Sequence, residues 1–302
     1  WANTTGANNV AVGKGALVAN TTGDYNVALG QAALDACVDG SKNNAVGAFA
    51  LTNYDPGSAE DSHNNAFGYN ALGANTTGKY NTAVGGNCLD SNTTADSNTA
   101  IGYAALDANS TGASNTAVGR DALGNNQTTS YNTAVGQNAL SDCVASNNTA
   151  VGYNALYLST TGADNVAIGF RSLDANTTGN YNDAFGEYAL ASNTTGANNS
   201  AIGRYSLNTN TTGSENTAVG SLALRYSTTA SYNTAVGRSA LAENTTGYEN
   251  AAVGKGTLSA NTTGYRNQAF GTDSLLSNTT GIDNTACGKS GLQNNTTGDN
   301  NT

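Results

Sequence analysis

The only histidine of the chain, His63, lies within a few residues of Asp55, Glu60 and Asp61. An imidazole beside carboxylates is the smallest set that could move a proton or hold a cation. No second histidine accompanies it, and the stretch around it is polar, so it reads as a solvated protruding loop. The four cysteines, Cys37, Cys88, Cys143 and Cys287, show no paired Cys-x-x-Cys spacing. They read as buried small residues or free thiols rather than as a metal or redox centre. No nucleophile elbow, phosphate loop or calcium-binding nonapeptide is present. The expectation is a protein without catalytic residues, metal or cofactor.

What positions every side chain is a repeat. The phrase Asn132-Thr133-Ala134-Val135-Gly136, followed four residues later by Leu140, recurs along the whole chain. Taking the closing glycine as position zero, the copies fall at Gly13, Gly30, Gly47, Gly68 and onward to Gly288, 17 coils in all. The step is 17 residues except for 21 after Gly47 and 16 after Gly136. The long step contains His63 and enlarges one coil over residues 51–64. One continuous domain over 1–302 follows, since a stack of repeats ignores ordinary domain size. The chain starts and stops within a repeat and has no capping segment, which suggests a piece of something longer.

The columns of the repeat carry the fold. Asn stands at −4, Ala at −2 and Leu at +4 in every copy, and −1 is always apolar. Positions +7 to +10 usually read Asn-Thr-Thr-Gly, while −3, +1, +5, +11 and +12 vary freely. Apolar residues at helical spacing are absent. The fit is an all-β parallel solenoid or roll with two or three short strands per coil, turning at Gly and Asn. Coils stacked about 4.8 Å apart would make a rod of roughly 80 Å. Asn9, Asn26, Asn43, Asn64, Asn81, Asn98, Asn115 and Asn132 are then a ladder of side-chain amides, because a buried polar column has to be hydrogen-bonded. At that spacing Cys37 and Cys143, which share column +7, lie too far apart for a disulfide.

Adjacent strand residues face opposite ways, yet −2 and −1 are both apolar. A strand apolar on both faces is covered on both. Leu17, Leu34, Leu123 and Leu140, with Val12, Val118 and Val135, are therefore core or interface residues, one face inside the coil and the other against an identical neighbour. A three-fold bundle is the closed symmetry this favours.

Two surface columns could meet a partner. Tyr25, Tyr80, Tyr131, Tyr181 and Tyr232 recur at +12 in every third coil, either as a trace of duplication or as a row of rings for docking a glycan or another fibre. The Thr pairs, such as Thr21 and Thr22 or Thr177 and Thr178, are either turn chemistry or a flat ice-binding array. The same segment creates Asn-x-Thr sequons at Asn20, Asn75, Asn92, Asn193, Asn244 and Asn261.

A net charge of −10 argues against nucleic acid as partner. Glycine is abundant at 37 residues and only 11% of residues are charged, which fits a turn-rich repeat. No apolar run is long enough to span a membrane.

The phrase Asn-Thr-Ala-Val-Gly, two variable residues and Ala-Leu resembles the head repeats of trimeric autotransporter adhesins, and is similar to repeats of phage tail fibres and bacterial surface proteins. The resemblance covers the whole chain. It implies a left-handed parallel β-roll wound as a homotrimer, on a cell surface, outside the cell or on a virion. Its expected role is that of a fibre that attaches to an unidentified cell-surface or glycan target, or spaces a tip domain. This chain departs from the family pattern by about three extra residues per coil. Both a two-sided roll with a longer turn and a three-sided coil therefore fit.

Overall fold

A computed structural model describes residues 2–302. It is all-β, with no helix among the described residues, and forms two compact units, Trp1–Asn147 and Asn148–Thr302. The first holds strands β1 (Val10–Val12) to β8 (Thr133–Val135), and the second holds β9 (Thr149–Val151) to β17 (Thr285–Cys287). Within each unit every strand pairs in parallel with the next, shifted by one repeat. Val10 lies beside Val27 and Thr116 beside Thr133 in the first unit, and Val166 beside Asp183 in the second. Each unit is thus a parallel β-solenoid with a 17-residue repeat.

Only one strand forms per coil, of three residues, where two or three were expected. The reason is local. The backbone turns left-handed at +2, +4 and +12 of each coil, as at Asp121, Leu123 and Tyr131 (φ 56°, 52° and 62°). An extended run cannot pass through such residues. The positive φ expected of Asn and Gly turns therefore falls largely on Leu, which is left-handed at +4 in every coil. Each left-handed non-glycine residue costs about 1–2 kcal/mol, so packing must hold it there. The Leu side chains supply that packing: Leu34, Leu123 and Leu140 are wholly buried and Leu17 nearly so.

The closing glycine is required twice over. Gly119 has φ 133°, and a Cβ there would lie 2.6 Å from the carbonyl of Gly136. No side chain fits against the neighbouring coil at that distance.

The core between these turns is thin: Ala at −2, Leu at +4, small residues at +3, and asparagine. From Asn26 to Asn284 the Asn −4 column is buried and hydrogen-bonded. Asn98 Oδ1 accepts the backbone N–H of Asn115 at 2.9 Å, and Asn98 Nδ2 donates to the carbonyl of Gly112 at 2.9 Å. The same pair of bonds recurs at Asn26, Asn64, Asn81 and Asn115. Asn9 and Asn43 pass their Oδ1 to the next coil in the same way, and Asn132 Nδ2 donates to Ala145 O. Each asparagine thus ties its own coil to the one after it.

A second asparagine ladder runs at +7. Asn92 Nδ2 donates to Asn75 Oδ1 at 3.0 Å and Asn109 Nδ2 to Asn92 Oδ1 at 3.1 Å. In the sequence these residues read as turn formers of the Asn-Thr-Thr-Gly segment; they are buried structural amides instead.

The ladder breaks where +7 is not Asn. Ser227 leaves its own Oγ and the Oδ1 of Asn210 buried without partners. An asparagine there could reach Asn210 Oδ1 and the carbonyl of Ala230, as Asn92 reaches Asn75 and Ala95. Ser227→Asn is expected to raise stability by about 1 kcal/mol, read as a higher denaturant midpoint at unchanged slope. Asn199→Ala, which empties a complete ladder position, should lose about 2 kcal/mol or more by the same measurement.

Candidate functional site

The strands sort their residues by face. At −2, Ala28, Ala45, Ala117 and Ala134 are wholly buried. At −1 the neighbouring apolar residues point outward. Val12 is 61% exposed, Ile101 40% and Val135 36%, and Val118 is half-buried. In the second unit Ile168, Phe185, Ile202, Val253 and Phe270 are exposed in the same column. Column −3 shares this outward face, so the first unit presents Thr82, Thr99, Thr116 and Thr133 in register beside Val84, Ile101, Val118 and Val135. This is an open sheet face of rigid β-branched side chains. Isolated exposed apolar residues are ordinary; a contiguous row marks a contact surface.

The five +12 tyrosines are all exposed, from 55% at Tyr80 to 67% at Tyr131. All five are left-handed, with φ between 56° and 62°. Asn or Gly would occupy this backbone more cheaply, so local conformation does not account for the rings. Tyr80 stacks on His63, with centroids 5.9 Å apart.

The Thr pairs sit on bends rather than on a strand. Thr177 Oγ1 donates to the carbonyl of Thr194 at 3.0 Å, and Thr21 and Thr22 both donate to Asp39. Thr178 lies next to Thr177 on the bend, and its backbone N–H donates to the same carbonyl of Thr194. The first hydroxyl of the pair is thereby tied down in coil after coil.

The enlarged coil is closed by ion pairs, Lys42 with Asp61 at 2.5 Å and Lys79 with Glu60 at 2.6 Å. Its Tyr54 fills the +7 slot and is wholly buried. No group of three or more His, Cys, Asp and Glu suited to a metal ion occurs among the described residues. Nor is any helix among them long and apolar enough to cross a membrane. Cys37, Cys88 and Cys143 are buried, whereas Cys287 is exposed at −1 on the outward face.

One cluster escaped the sequence reading because it lies in the freely varying columns +1, +2 and +5. In the second unit Tyr153, Phe170, Tyr188 and Tyr205 form a continuous row, stacked at both ends and edge-to-face between Phe170 and Tyr188, with successive centroids 5.4, 5.4 and 5.2 Å apart. Arg204 and Arg225 lie over the Tyr205 ring at 4.8 and 5.5 Å. Arg171 pairs with the nearly buried Asp174 at 2.6 Å. A groove of about 480 Å³ opens between these side chains and the small residues Ala175, Ala191 and Ser192. A helix-or-strand reading has no signal for it, since +1 and +2 become neighbours only when coils stack.

No protein-family model matches the chain, and no curated protein matches it. Fold and surface alone define its class, a parallel β-solenoid repeat protein.

The sequon asparagines Asn20, Asn75, Asn92, Asn193, Asn244 and Asn261 are wholly buried members of the +7 ladder. Asn75 Nδ2, for example, donates to Gly78 O at 2.9 Å. A glycan on that nitrogen is incompatible with the folded coil. Folded protein secreted from a eukaryotic cell should show no mass shift at these sites on endoglycosidase treatment; glycosylated yet natively folded chains would contradict the burial.

Burial also pushes the Cys37 thiol up to about 12 and raises Tyr54 above the usual phenol value. The folded state then holds protons that the unfolded chain gives up, beginning near the ordinary thiol value of about 8.5. Bound protons being more numerous in the native state, stability is intact below that pH and falls as pH rises toward about 12. Denaturant midpoints measured from neutral to alkaline pH should decline, and Cys37→Ala should flatten the first part of the decline.

Proposed function

We propose that this chain is a non-enzymatic fibre segment that associates side by side with copies of itself and serves in attachment at a surface. The observation that carries the reading is the split of the β-strand: alanine buried at −2, and Val, Ile or Phe open at −1 along both units. A column of large apolar side chains renewed every coil is costly to leave in water. Burying it stabilises association by about 25 cal/mol for each Å² removed.

An identical copy is the natural occupant, because only another solenoid repeats its apolar side chains at the same spacing. A closed homotrimer satisfies every copy with one type of contact; an open filament is the other arrangement that would. The resemblance to trimeric autotransporter heads and to phage and bacterial surface fibres points the same way, toward a place on a cell surface, outside the cell or on a virion. The exposed tyrosines at +12 support the adhesive half of the reading, since of the five only Tyr80, on His63, stacks on another ring among the described residues.

Ice binding through the Thr pairs is the competing role. It is weakened by the hydroxyls spent on neighbouring carbonyls, and thermal hysteresis of the purified protein would establish it.

Sedimentation of the wild-type protein should report an oligomer, with Cys287 slow to react with a thiol reagent. Ile101→Glu combined with Val118→Glu changes only outward side chains, so the coil should keep its fold within about 0.5 kcal/mol. The double variant should sediment as a folded monomer. A wild-type chain that is already a stable monomer would overturn the association.

A further inference from the structure

The second unit carries a run of positive charge that its acidic composition conceals. Column +1 holds Arg204, Arg238, Lys255 and Lys289, all exposed, over a distance of about 24 Å along the stack. Arg225 stands beside this column at +5. Its guanidinium is held between the rings of Tyr205 and Tyr226, at 5.5 and 4.7 Å. Its Nε is buried without a hydrogen-bond partner.

Among the described residues only Arg204 of these five cations has a carboxylate within 4.0 Å, that of Glu187. Arg225, Arg238, Lys255 and Lys289 form no ion pair among the described residues.

The groove next to them is built for more than charge. Asp174, anchored by Arg171, and Asn208 bring carboxylate and amide oxygens to its wall. Tyr188 and Tyr205 bring rings. Their planes are 6° from parallel with centroids 5.2 Å apart. Carbon faces in contact are about 3.5 Å apart, so these rings are offset, and both line the groove with Arg171 over Tyr188 and Arg204 and Arg225 over Tyr205. Hydroxyl-bonding groups in a groove lined by aromatic rings and guanidinium groups suit a pyranose ring, which has axial C–H groups on one side and hydroxyls around its rim. Cations repeated coil after coil suit a carboxylate repeated residue after residue.

We propose that this face of the second unit binds a linear acidic polysaccharide of the uronic-acid class, with sugar rings in the Tyr188–Tyr205 groove and carboxylates on Arg225, Arg238 and Lys255. The proposal deepens the attachment reading and rests on it. It shares no residue with the apolar −1 column.

The test uses the whole 302-residue chain and titration calorimetry with an oligogalacturonate, a neutral cello-oligosaccharide of equal length and a poly-glutamate of equal charge. The oligogalacturonate should bind, more weakly as salt rises, and the other two should not. Arg225→Gln with Arg238→Gln should weaken it by about tenfold or more, and Tyr205→Ala should weaken it also. Arg238→Gln with Lys255→Gln changes only exposed side chains and carries the test if Tyr205→Ala or the Arg225 variant misfolds.

Absence of oligogalacturonate binding overturns the proposal, as does equal binding of the neutral sugar or of poly-glutamate, or an unaffected arginine variant. Attachment to cells that persists in that variant removes the site and leaves the attachment reading standing. Oligosaccharide binding by a chain that attaches to no surface does the reverse.

Discussion

The amide of the −4 asparagine is the interaction on which the rest of this structure depends. A coil of 17 residues with a single three-residue strand bonds its backbone to the neighbouring coils outside the strand as well, as from Leu106 N–H to Ala122 O and Ser110 N–H to Gln127 O, but its turns leave donors and acceptors that only a side chain can meet. Buried backbone groups without partners are not tolerated. The asparagine meets this at the tightest point, accepting one N–H and donating to one carbonyl of the next coil, as Asn98 does with Asn115 and Gly112. Its burial, with no exposure at Asn26, Asn98 or Asn199, keeps water from competing for those bonds. The +7 asparagines repeat the device on the other side of the turn.

With coils clamped in this way, left-handed residues become affordable. Leu at +4 would not choose a φ near 50°, and Tyr at +12 still less. The strain is offset by leucine burial and by inter-coil bonds such as Leu123 N–H to the carbonyl of Ala139. At +12 the tyrosine backbone is held by the same kind of bond, as from Tyr131 N–H to the carbonyl of Ala113, while the ring stays exposed.

The same geometry decides what the outside can do. A three-residue strand gives each coil one inward and two outward positions. Alanine occupies the inward one because the core is too narrow for anything larger, and the bulky residue is left facing out. Variation falls in columns outside the two asparagine ladders, although +11 still accepts an inter-coil N–H where it is Asp, Ser or Asn, as Ser130 does from Ala113. Those columns let the second unit gather Arg204, Arg238 and Lys255 along one line, and Phe170, Tyr188 and Tyr205 along another, with little effect on the fold.

The repeat, its parallel stacking, the invariant Asn, Ala and Leu columns and the opposite facing of −2 and −1 were legible in the residues alone, because each is a periodic constraint written once per coil. The number of strands per coil was not, since left-handed leucine has no compositional mark. The role of Asn20, Asn75 and Asn92 was hidden for a related reason: Asn-Thr-Thr-Gly is also good turn chemistry, and only stacking shows the amide turned inward. Tertiary structure alone decided which thiols are buried, where the Thr hydroxyls are spent, and that residues 17 apart in the variable columns meet as an aromatic and cationic surface. Contacts between coils depend on where each side chain points, and a sequence period states the spacing of residues without stating that direction.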